Sequence, residues 1–157
     1  MAHEIERKFH VFREKLPPLE GGERYVQGYL CEEPQVRFRI IDGRRAVLCV
    51  KKFLGPGERL EFEFPRRDLT PEEIVELPGL AIWPPLVKTR YRIPHKGLVW
   101  ELDVYEGKNE GLITTEVEIP SADYIVSFPD WVDADGEITN DPRYANINLT
   151  RKPFRSW

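Results

Sequence analysis

The residues best suited to chemistry in this sequence are charged side chains that recur two positions apart. Pairs of carboxylates favour a hard divalent cation with oxygen ligands, such as Mg²⁺ or Mn²⁺, whereas arginine and lysine bind phosphate or carboxylate oxygens. Both kinds together predict a site for a metal–phosphate complex. The acidic pairs are Glu4/Glu6, Glu61/Glu63, Glu101/Asp103 and Glu116/Glu118, and the basic residues are Lys8, Arg37, Arg39, Lys51, Arg59, Lys88, Arg90 and Arg92.

The segments that carry these residues alternate polar and apolar side chains, which is typical of β-strands. Because side chains at i, i+2 and i+4 point the same way, each strand has one charged face and one mainly apolar face. Turn signals such as Asp42-Gly43 separate the segments. The candidate strands span residues 4–9, 25–30, 36–41, 45–53, 59–64, 87–93, 98–105 and 114–119.

Two arrangements accommodate the charged faces. In an open antiparallel sheet, the charged face lies in water and holds cross-strand ion pairs. In a barrel it lines a wet interior that binds ligands, because an imperfectly paired buried ion costs several kcal/mol against a net stability of about 5–15 kcal/mol. The like-charge pairs favour the barrel. We therefore predict a mainly β (α+β) fold, a closed eight-stranded antiparallel β-barrel or tunnel with a few short helices outside it.

Helices are few in this sequence. Thr70-Pro71-Glu72-Glu73 combines an N-cap, a first-position proline and a capping-box glutamate, and it predicts a helix over the residues that follow. A second helix is predicted to begin at Ser121, and a third near Asp141 to run toward Leu149. The 157 residues, without a linker or an internal repeat, predict a single domain over residues 1–157.

The overall charge limits the possible partners. Lys and Arg number 23, Asp and Glu number 27, and the net charge is −4, so the whole molecule has no field that would draw it to nucleic acid or to an anionic membrane. No apolar run approaches the ~20 residues of a membrane span. Cys31 and Cys49 lie in strand segments and lack metal-ligand spacing. Reduced thiols and a cytoplasmic location are the resulting expectations.

The charged motifs, taken in order, resemble a known family, the triphosphate tunnel metalloenzymes of the CYTH group. The opening Glu4-Ile5-Glu6-Arg7-Lys8 matches the family's E-x-E-x-K signature, and the resemblance continues over nearly the whole chain. The further matching motifs are Arg37-Phe38-Arg39, Leu48-Cys49-Val50-Lys51, Arg59-Leu60-Glu61-Phe62-Glu63, Lys88-Thr89-Arg90, Trp100-Glu101-Leu102-Asp103 and Glu116-Val117-Glu118.

The resemblance implies an eight-stranded tunnel in which basic side chains hold a triphosphate and carboxylates hold one or two Mg²⁺ or Mn²⁺ ions. The implied phosphate ligands are Lys8, Arg37, Arg39, Lys51, Arg59, Lys88 and Arg90. Glu4, Glu6 and Glu118 are the best metal ligands, and Glu61, Glu63, Glu101, Asp103 and Glu116 complete the acidic set. The segment around Gln27-Gly28-Tyr29 resembles the bacterial tripolyphosphatases, which implies a contact between Tyr29 and Lys88.

The activity implied is metal-dependent hydrolysis of inorganic triphosphate to pyrophosphate and phosphate, by a monomer or a homodimer. The hypothesis is in-line attack by a metal-polarised water, oriented by a second metal or by a carboxylate such as Glu61 or Glu63. Three alternatives stay open: an adenylate cyclase of the same fold, a thiamine triphosphatase with an aromatic clamp from Trp83, Trp131 or Trp157, and a polyphosphate-binding module without catalysis.

Overall fold

The fold is dominated by antiparallel strands. The computed structural model describes residues 2–56 and 58–157. Each candidate strand is present, most of them longer by a few residues than the alternation indicates, because backbone pairing continues beyond the alternating core of a segment. The strands are β1 (Ala2–Val11), β2 (Glu23–Glu32), β3 (Gln35–Ile41), β4 (Arg45–Gly55), β5 (Glu58–Glu63), β6 (Arg67–Asp68), β7 (Leu86–His95), β8 (Leu98–Tyr105), β9 (Ile113–Glu118) and β10 (Val132–Glu137).

Eight of these strands close into a ring. The hydrogen-bonded order is β1-β5-β4-β3-β2-β7-β8-β9, and β9 pairs with β1 to complete the circuit. The last pairing places Glu6 opposite Glu118 and Lys8 opposite Glu116. All ladders between these neighbours are antiparallel. The predicted fold class is therefore confirmed, with two short additions, β6 on β4 and β10 on β1.

The helices are short and lie outside the ring pairing. Helix α1 (Pro71–Glu76) has the predicted capping box, in which the Thr70 hydroxyl accepts from the Glu73 N–H and the Glu73 carboxylate accepts from the Thr70 N–H. Helix α2 (Asn146–Arg151) is the other. Single 3₁₀ turns span Arg13–Lys15, Leu77–Leu80, Gly107–Asn109, Pro142–Tyr144 and Phe154–Ser156. None of the described helices is long and apolar enough to cross a membrane.

Two helix predictions need correction. The helix expected from Ser121 is wrong, because this segment is a turn in which the Tyr124 N–H donates to the Ser121 carbonyl and the Ser121 hydroxyl donates to Asp123. Local side-chain bonds of this kind compete with helix formation. The helix expected from Asp141 to Leu149 is broken at Ala145, whose extended backbone separates a 3₁₀ turn from α2.

One apolar cluster lies on the outward face of the ring. Phe9, Trp100, Leu102 and Val117, from neighbouring strands, pack beneath Trp131 and other residues of the segment that follows β9. On the opposite wall, Phe38 is fully buried, and its ring occupies the space that a side chain at Gly28 in β2 would need. A Cβ at Gly28 would lie 2.5 Å from the Phe38 ring and 2.9 Å from Ala81, so no larger residue fits there. This apolar cluster thus faces outward, and the charged set lies inside the ring together with a few apolar residues such as Ile41 and Val47.

Candidate active site

The ring encloses a cavity of about 470 Å³. All but two of the residues predicted for the site line it, and they come from all eight strands of the ring. The exceptions are Lys88 and Asp103, which are fully buried in the wall. The lining residues from the predicted set are Glu4, Glu6, Lys8, Tyr29, Arg37, Arg39, Lys51, Arg59, Glu61, Glu63, Arg90, Glu101, Glu116 and Glu118.

Two buried arginines in the cavity wall have unused hydrogen-bond donors. Arg37 and Arg39 are 6% and 5% exposed, and the Arg37 Nε and an Arg39 terminal nitrogen, Nη2, are buried without a hydrogen-bond partner among residues 2–56 and 58–157. Burial, together with Arg37 and Arg90 nearby, lowers the pKa of Arg39 to about 10. A buried donor without an acceptor costs free energy, and so does a cluster of like charges. An anion with several oxygens would satisfy both.

Arg59 is the point where the acidic side of the cavity converges. Its Nη2 lies 3.1 Å from Glu4, 3.0 Å from Glu6 and 3.0 Å from Glu61. One guanidinium cannot neutralise three carboxylates, so this side carries excess negative charge. Burial and the adjacent Glu61 raise the pKa of Glu4 to about 8, and burial and the adjacent Glu116 raise the pKa of Glu6 to about 7.

Glu61 and Glu116 differ from Glu4 and Glu6 because each also has a lysine nearby, with Lys51 Nζ 3.9 Å from Glu61 and Lys8 Nζ 3.9 Å from Glu116. Burial works against ionisation of both, but Lys51 and a hydrogen bond with Glu4 lower the pKa of Glu61. Lys8 and a hydrogen bond with Glu6 do the same for Glu116. Each carboxylate therefore shares a proton with a neighbour of raised pKa, and this arrangement gives two carboxyl pairs, Glu4 with Glu61 and Glu6 with Glu116.

These paired carboxyls fit a divalent cation. In the two described ranges, no group of three or more His, Cys, Asp or Glu side chains has its ligand atoms already gathered around one point. However, oxygen-only donors, two adjacent carboxyl pairs and raised pKa values are the conditions that a hard cation relieves. Glu118, exposed and opposite Glu6 in the sheet, adds a further carboxylate on the same lining.

Asp103 forms the most completely buried ion cluster of the site. Its Oδ2 accepts from Lys88 Nζ at 2.7 Å and from Arg90 Nη2 at 2.8 Å, and its Oδ1 accepts from Arg90 Nε at 2.8 Å. Arg90 also reaches Glu101 and Glu116, each at 3.3 Å. Both Asp103 oxygens are thus occupied by basic groups, whereas Glu63 and Glu118 present exposed carboxylates to the cavity.

Tyr29 and Lys88 have different hydrogen-bond partners. The Tyr29 hydroxyl accepts from Gln27 Nε2 at 2.7 Å. Lys88 donates to Asp103, and its Nζ lies 5.6 Å from the centre of the Tyr105 ring and 3.5 Å from Asn146 Oδ1. Tyr105 thus stands beside Lys88, where the resemblance implied Tyr29, and its hydroxyl donates to the same Asn146 oxygen at 2.6 Å.

Several residues around the site were not found from the sequence. Lys8 Nζ donates to the Tyr144 carbonyl at 3.0 Å, and Asn146 contacts Lys88, so the segment 138–147 covers one end of the cavity. These contacts involve neutral groups far along the chain, which charge alternation does not reveal. Gln27 was named only as part of the segment around Tyr29, and no role was predicted for it, because its side chain is neutral. Its position between Tyr25 and Tyr29 on one strand face was the available signal.

The opposite end of the cavity carries a second cluster, of which only Arg92 belongs to the basic set predicted from the sequence. Glu23 accepts from Arg66 at 2.8 Å and from Arg92 at 2.9 Å, and the Tyr25 hydroxyl donates to the same carboxylate at 3.2 Å. Arg66 and Arg92 bind one carboxylate, which lowers its pKa to about 2 against the effect of burial. Glu23 lies two positions before the alternating segment, residues 25–30, that identified β2.

A closed ring with unsatisfied arginines and paired carboxyls inside it defines the triphosphate tunnel class of fold. No protein-family model matches the chain. An inorganic triphosphatase of Acetivibrio thermocellus is 35% identical over 159 residues, which cover 100% of this chain and 99% of that protein. The crystal structure of the inorganic triphosphatase NE1496 has a TM-score of 0.65 at 29% identity and covers 96% of this chain and 95% of that one.

A conserved hypothetical protein from Pyrococcus furiosus shares the fold at a TM-score of 0.52 and 20% identity, over 76% of this chain and 80% of that one. The full-length similarity to the Acetivibrio enzyme decides the family. The chain belongs to the triphosphate tunnel metalloenzymes, in the branch of the inorganic triphosphatases.

Proposed function

We propose that this chain hydrolyses inorganic triphosphate to pyrophosphate and phosphate with the help of Mg²⁺ or Mn²⁺. The observation that carries the proposal is the pair of buried, unpartnered donors on Arg37 and Arg39 in a cavity that also holds paired carboxyls. A linear triphosphate offers oxygens to the basic wall, and a metal bound to it offers positive charge to the acidic wall. The activity of the related triphosphatases supports the same substrate.

The basic wall supplies most of the catalytic requirement. Phosphoryl transfer depends on alignment and charge neutralisation more than on covalent chemistry. Arg37, Arg39, Lys51 and Arg90 hold the phosphoryl oxygens from neighbouring strands and stabilise the negative charge that develops on the leaving pyrophosphate. Because buried ion pairs fix Arg37, Lys51 and Arg90, and a hydrogen bond to Gln27 fixes Arg39, these groups need little reorganisation during the reaction.

The acidic wall would hold the cation. Glu4, Glu6 and Glu118 are the proposed ligands, and a bound metal would polarise phosphoryl oxygens and lower the pKa of the attacking water. Among the two carboxylates considered for orienting that water, Glu61 is occupied by Arg59 and Cys49 and has a lowered pKa. Glu63 is exposed and lines the cavity, so it is the better proton acceptor of the two.

The proposed aromatic clamp for thiamine triphosphate receives no support from the positions of the tryptophans. Trp131 packs in the outer core, Trp157 packs on Tyr144 and Phe154, and Trp83 lies under Arg151. None of these three described residues is part of the cavity lining. Inorganic triphosphate therefore fits the tunnel better than thiamine triphosphate, whose aromatic ring would need such a clamp.

The test is a phosphate-release assay with triphosphate, ATP, pyrophosphate and thiamine triphosphate, each with Mg²⁺, with Mn²⁺ or with EDTA. We expect the fastest release from triphosphate and none with EDTA. Glu106→Gln, in an exposed pair with Arg24 outside the cavity, is the matched control and should hydrolyse triphosphate like the unmodified chain. Faster release from ATP than from triphosphate would assign the site to nucleotides, and binding without release would make the chain a polyphosphate-binding module.

A further inference from the structure

Gln27 is a fully buried amide that links two residues of the cavity wall. It lies on β2 between Tyr25 and Tyr29, and its side chain is 0% exposed. Its Oε1 accepts from Arg39 Nε at 3.0 Å, and its Nε2 donates to the Tyr29 hydroxyl at 2.7 Å. Tyr29 and Arg39 line the cavity, whereas Gln27 lies behind them.

The chemistry of these three groups fixes the direction of both hydrogen bonds. A guanidinium only donates, so the amide must turn its carbonyl oxygen toward Arg39. The amide nitrogen is thereby turned toward Tyr29 and can only donate to it. The Tyr29 oxygen is therefore an acceptor in this contact, and the hydroxyl proton must point elsewhere. Burial also raises the pKa of Tyr29, so the hydroxyl keeps that proton.

Gln27 also fixes the orientation of the Arg39 guanidinium. The Arg39 Nε is used by Gln27, and the guanidinium lies 4.2 Å from the centre of the Tyr25 ring. The Nη2 atom of the same guanidinium is buried and has no hydrogen-bond partner in the part of the chain that the structure describes. Gln27 therefore leaves one free donor on each neighbour, a hydroxyl proton on Tyr29 and an N–H on Arg39.

We propose that Gln27 is a positioning residue that directs the Tyr29 hydroxyl proton and the Arg39 Nη2 group onto the phosphoryl oxygens of the substrate. This inference rests on the triphosphatase function proposed above. Gln27 does not touch the substrate; it acts through the polarity of its amide. The two donors would bind phosphoryl oxygens whose negative charge increases during the transfer. Hydrogen bonds to a charged group are stronger than those between neutral groups.

The test reverses the polarity of one bond and keeps the other. In Gln27→Glu, the introduced carboxylate still accepts a hydrogen bond from Arg39. A carboxylate has no donor, so it can only accept from the Tyr29 hydroxyl too, and the hydroxyl proton therefore turns away from the cavity. We expect kcat to fall about 10- to 100-fold, the range of one hydrogen bond to a charged group. The added negative charge could also weaken substrate binding without any role for Tyr29, so the same change is made in a Tyr29→Phe background.

The double-mutant cycle separates the two effects. If Gln27 acts through the hydroxyl proton, Gln27→Glu has a several-fold smaller effect in the Tyr29→Phe background, where no proton remains to be turned. An equal effect in both backgrounds overturns the inference. Gln27→Met, which leaves the hydroxyl free to rotate, should lie between the unmodified chain and Gln27→Glu, and it carries the test if the glutamate variant does not fold.

A second measurement keeps this inference separate from the proposed function. Calorimetric titration with inorganic triphosphate in EDTA measures substrate affinity without turnover, and the same cycle is read from the dissociation constants. If the unmodified chain binds triphosphate but releases no phosphate, the proposed hydrolysis fails while the coupling between Gln27 and Tyr29 is still measured. If hydrolysis is present and the coupling is absent in both measurements, only the inference fails.

Discussion

Lys88 Nζ lies 2.7 Å from Asp103 Oδ2, and both side chains are fully buried. Breaking a buried ion pair by removing one charge commonly costs about 3–5 kcal/mol, because the remaining charge is left unpaired. We expect Asp103→Asn to lower the free energy of unfolding by about this amount. Urea denaturation of the protein without ligands measures it. Glu106→Gln, in an exposed pair, should lose no more than about 1 kcal/mol, and similar losses for both variants would contradict the assignment.

The same pair predicts how triphosphate binding depends on pH. Burial, only partly offset by Asp103, lowers the pKa of Lys88 to about 7. The lysine is charged below this value and loses its proton as the pH rises through it, so its attraction for phosphate is present at pH 6 and lost by pH 9. Titration calorimetry in EDTA should show affinity falling over this interval. Lys88→Arg keeps its charge, and an equally steep decline in that variant would exclude Lys88 as the cause.

Glu6 should lower the free energy of unfolding at alkaline pH in the protein without metal. Burial and Glu116 raise its folded pKa to about 7, above the value of 4.5 for an unperturbed glutamate. Stability is then lost as the pH rises from the unfolded to the folded value, because the folded state resists ionisation. We therefore expect Glu6→Gln to be more stable than the unmodified chain at pH 8 and equal to it at pH 4, by thermal unfolding in EDTA. The reverse order at pH 8 would contradict the raised pKa.

The same substitution should impair metal-dependent activity. If Glu6 is a metal ligand, Glu6→Gln needs more Mg²⁺ or Mn²⁺ for half-maximal phosphate release and has at least about 10-fold lower kcat at saturating metal. Glu106→Gln serves again as the control. Glu4→Gln combined with Glu6→Gln should abolish measurable release, and a double variant with the unmodified rate would refute the acidic wall as the metal site.

The unused Nε of Arg37 predicts that lysine cannot replace this arginine. Lysine keeps the charge but lacks the planar set of donors that matches phosphate oxygens. We expect Arg37→Lys to raise the KM for triphosphate roughly 10-fold, which corresponds to about 1.4 kcal/mol of lost binding. Steady-state phosphate release measures this. Arg44→Lys, on the exposed β3–β4 turn, is the control, and equal KM values for the two variants would argue against the phosphate contact.

The ring and its charged lining could be predicted because they depend on a local rule. Alternation at period two places Arg37 with Arg39, and Glu116 with Glu118, on one face in any regular strand, whatever the rest of the chain does. The like charges of these pairs then make a ligand-binding interior more favourable than a solvated sheet. That reasoning found the closed fold and most of the charged side chains that the ring strands turn into the cavity, but not the lining that residues 138–147 contribute.

The features that could not be predicted depend either on contacts between distant parts of the chain or on local hydrogen bonds that compete with a helix. Asn146 reaches Lys88 only because the chain returns across one end of the ring, and no local pattern encodes that return. The turn at Ser121 has the composition of a helix start, but side-chain and backbone bonds to Asp123 and Tyr124 compete with it. The pairing of Asp103 with Lys88 and Arg90 is likewise a matter of three-dimensional distance.

The closure of β1 against β9 also determines when the site can exist. Glu4, Glu6 and Lys8 lie on the first strand of the ring, and Glu116 and Glu118 lie on the last strand to join it. Contacts between such distant parts of the chain slow folding, because a long loop must close before they form. During synthesis, the acidic wall is therefore incomplete until β9 has left the ribosome. A growing chain acquires its triphosphate site in one late step, with the closing of the ring.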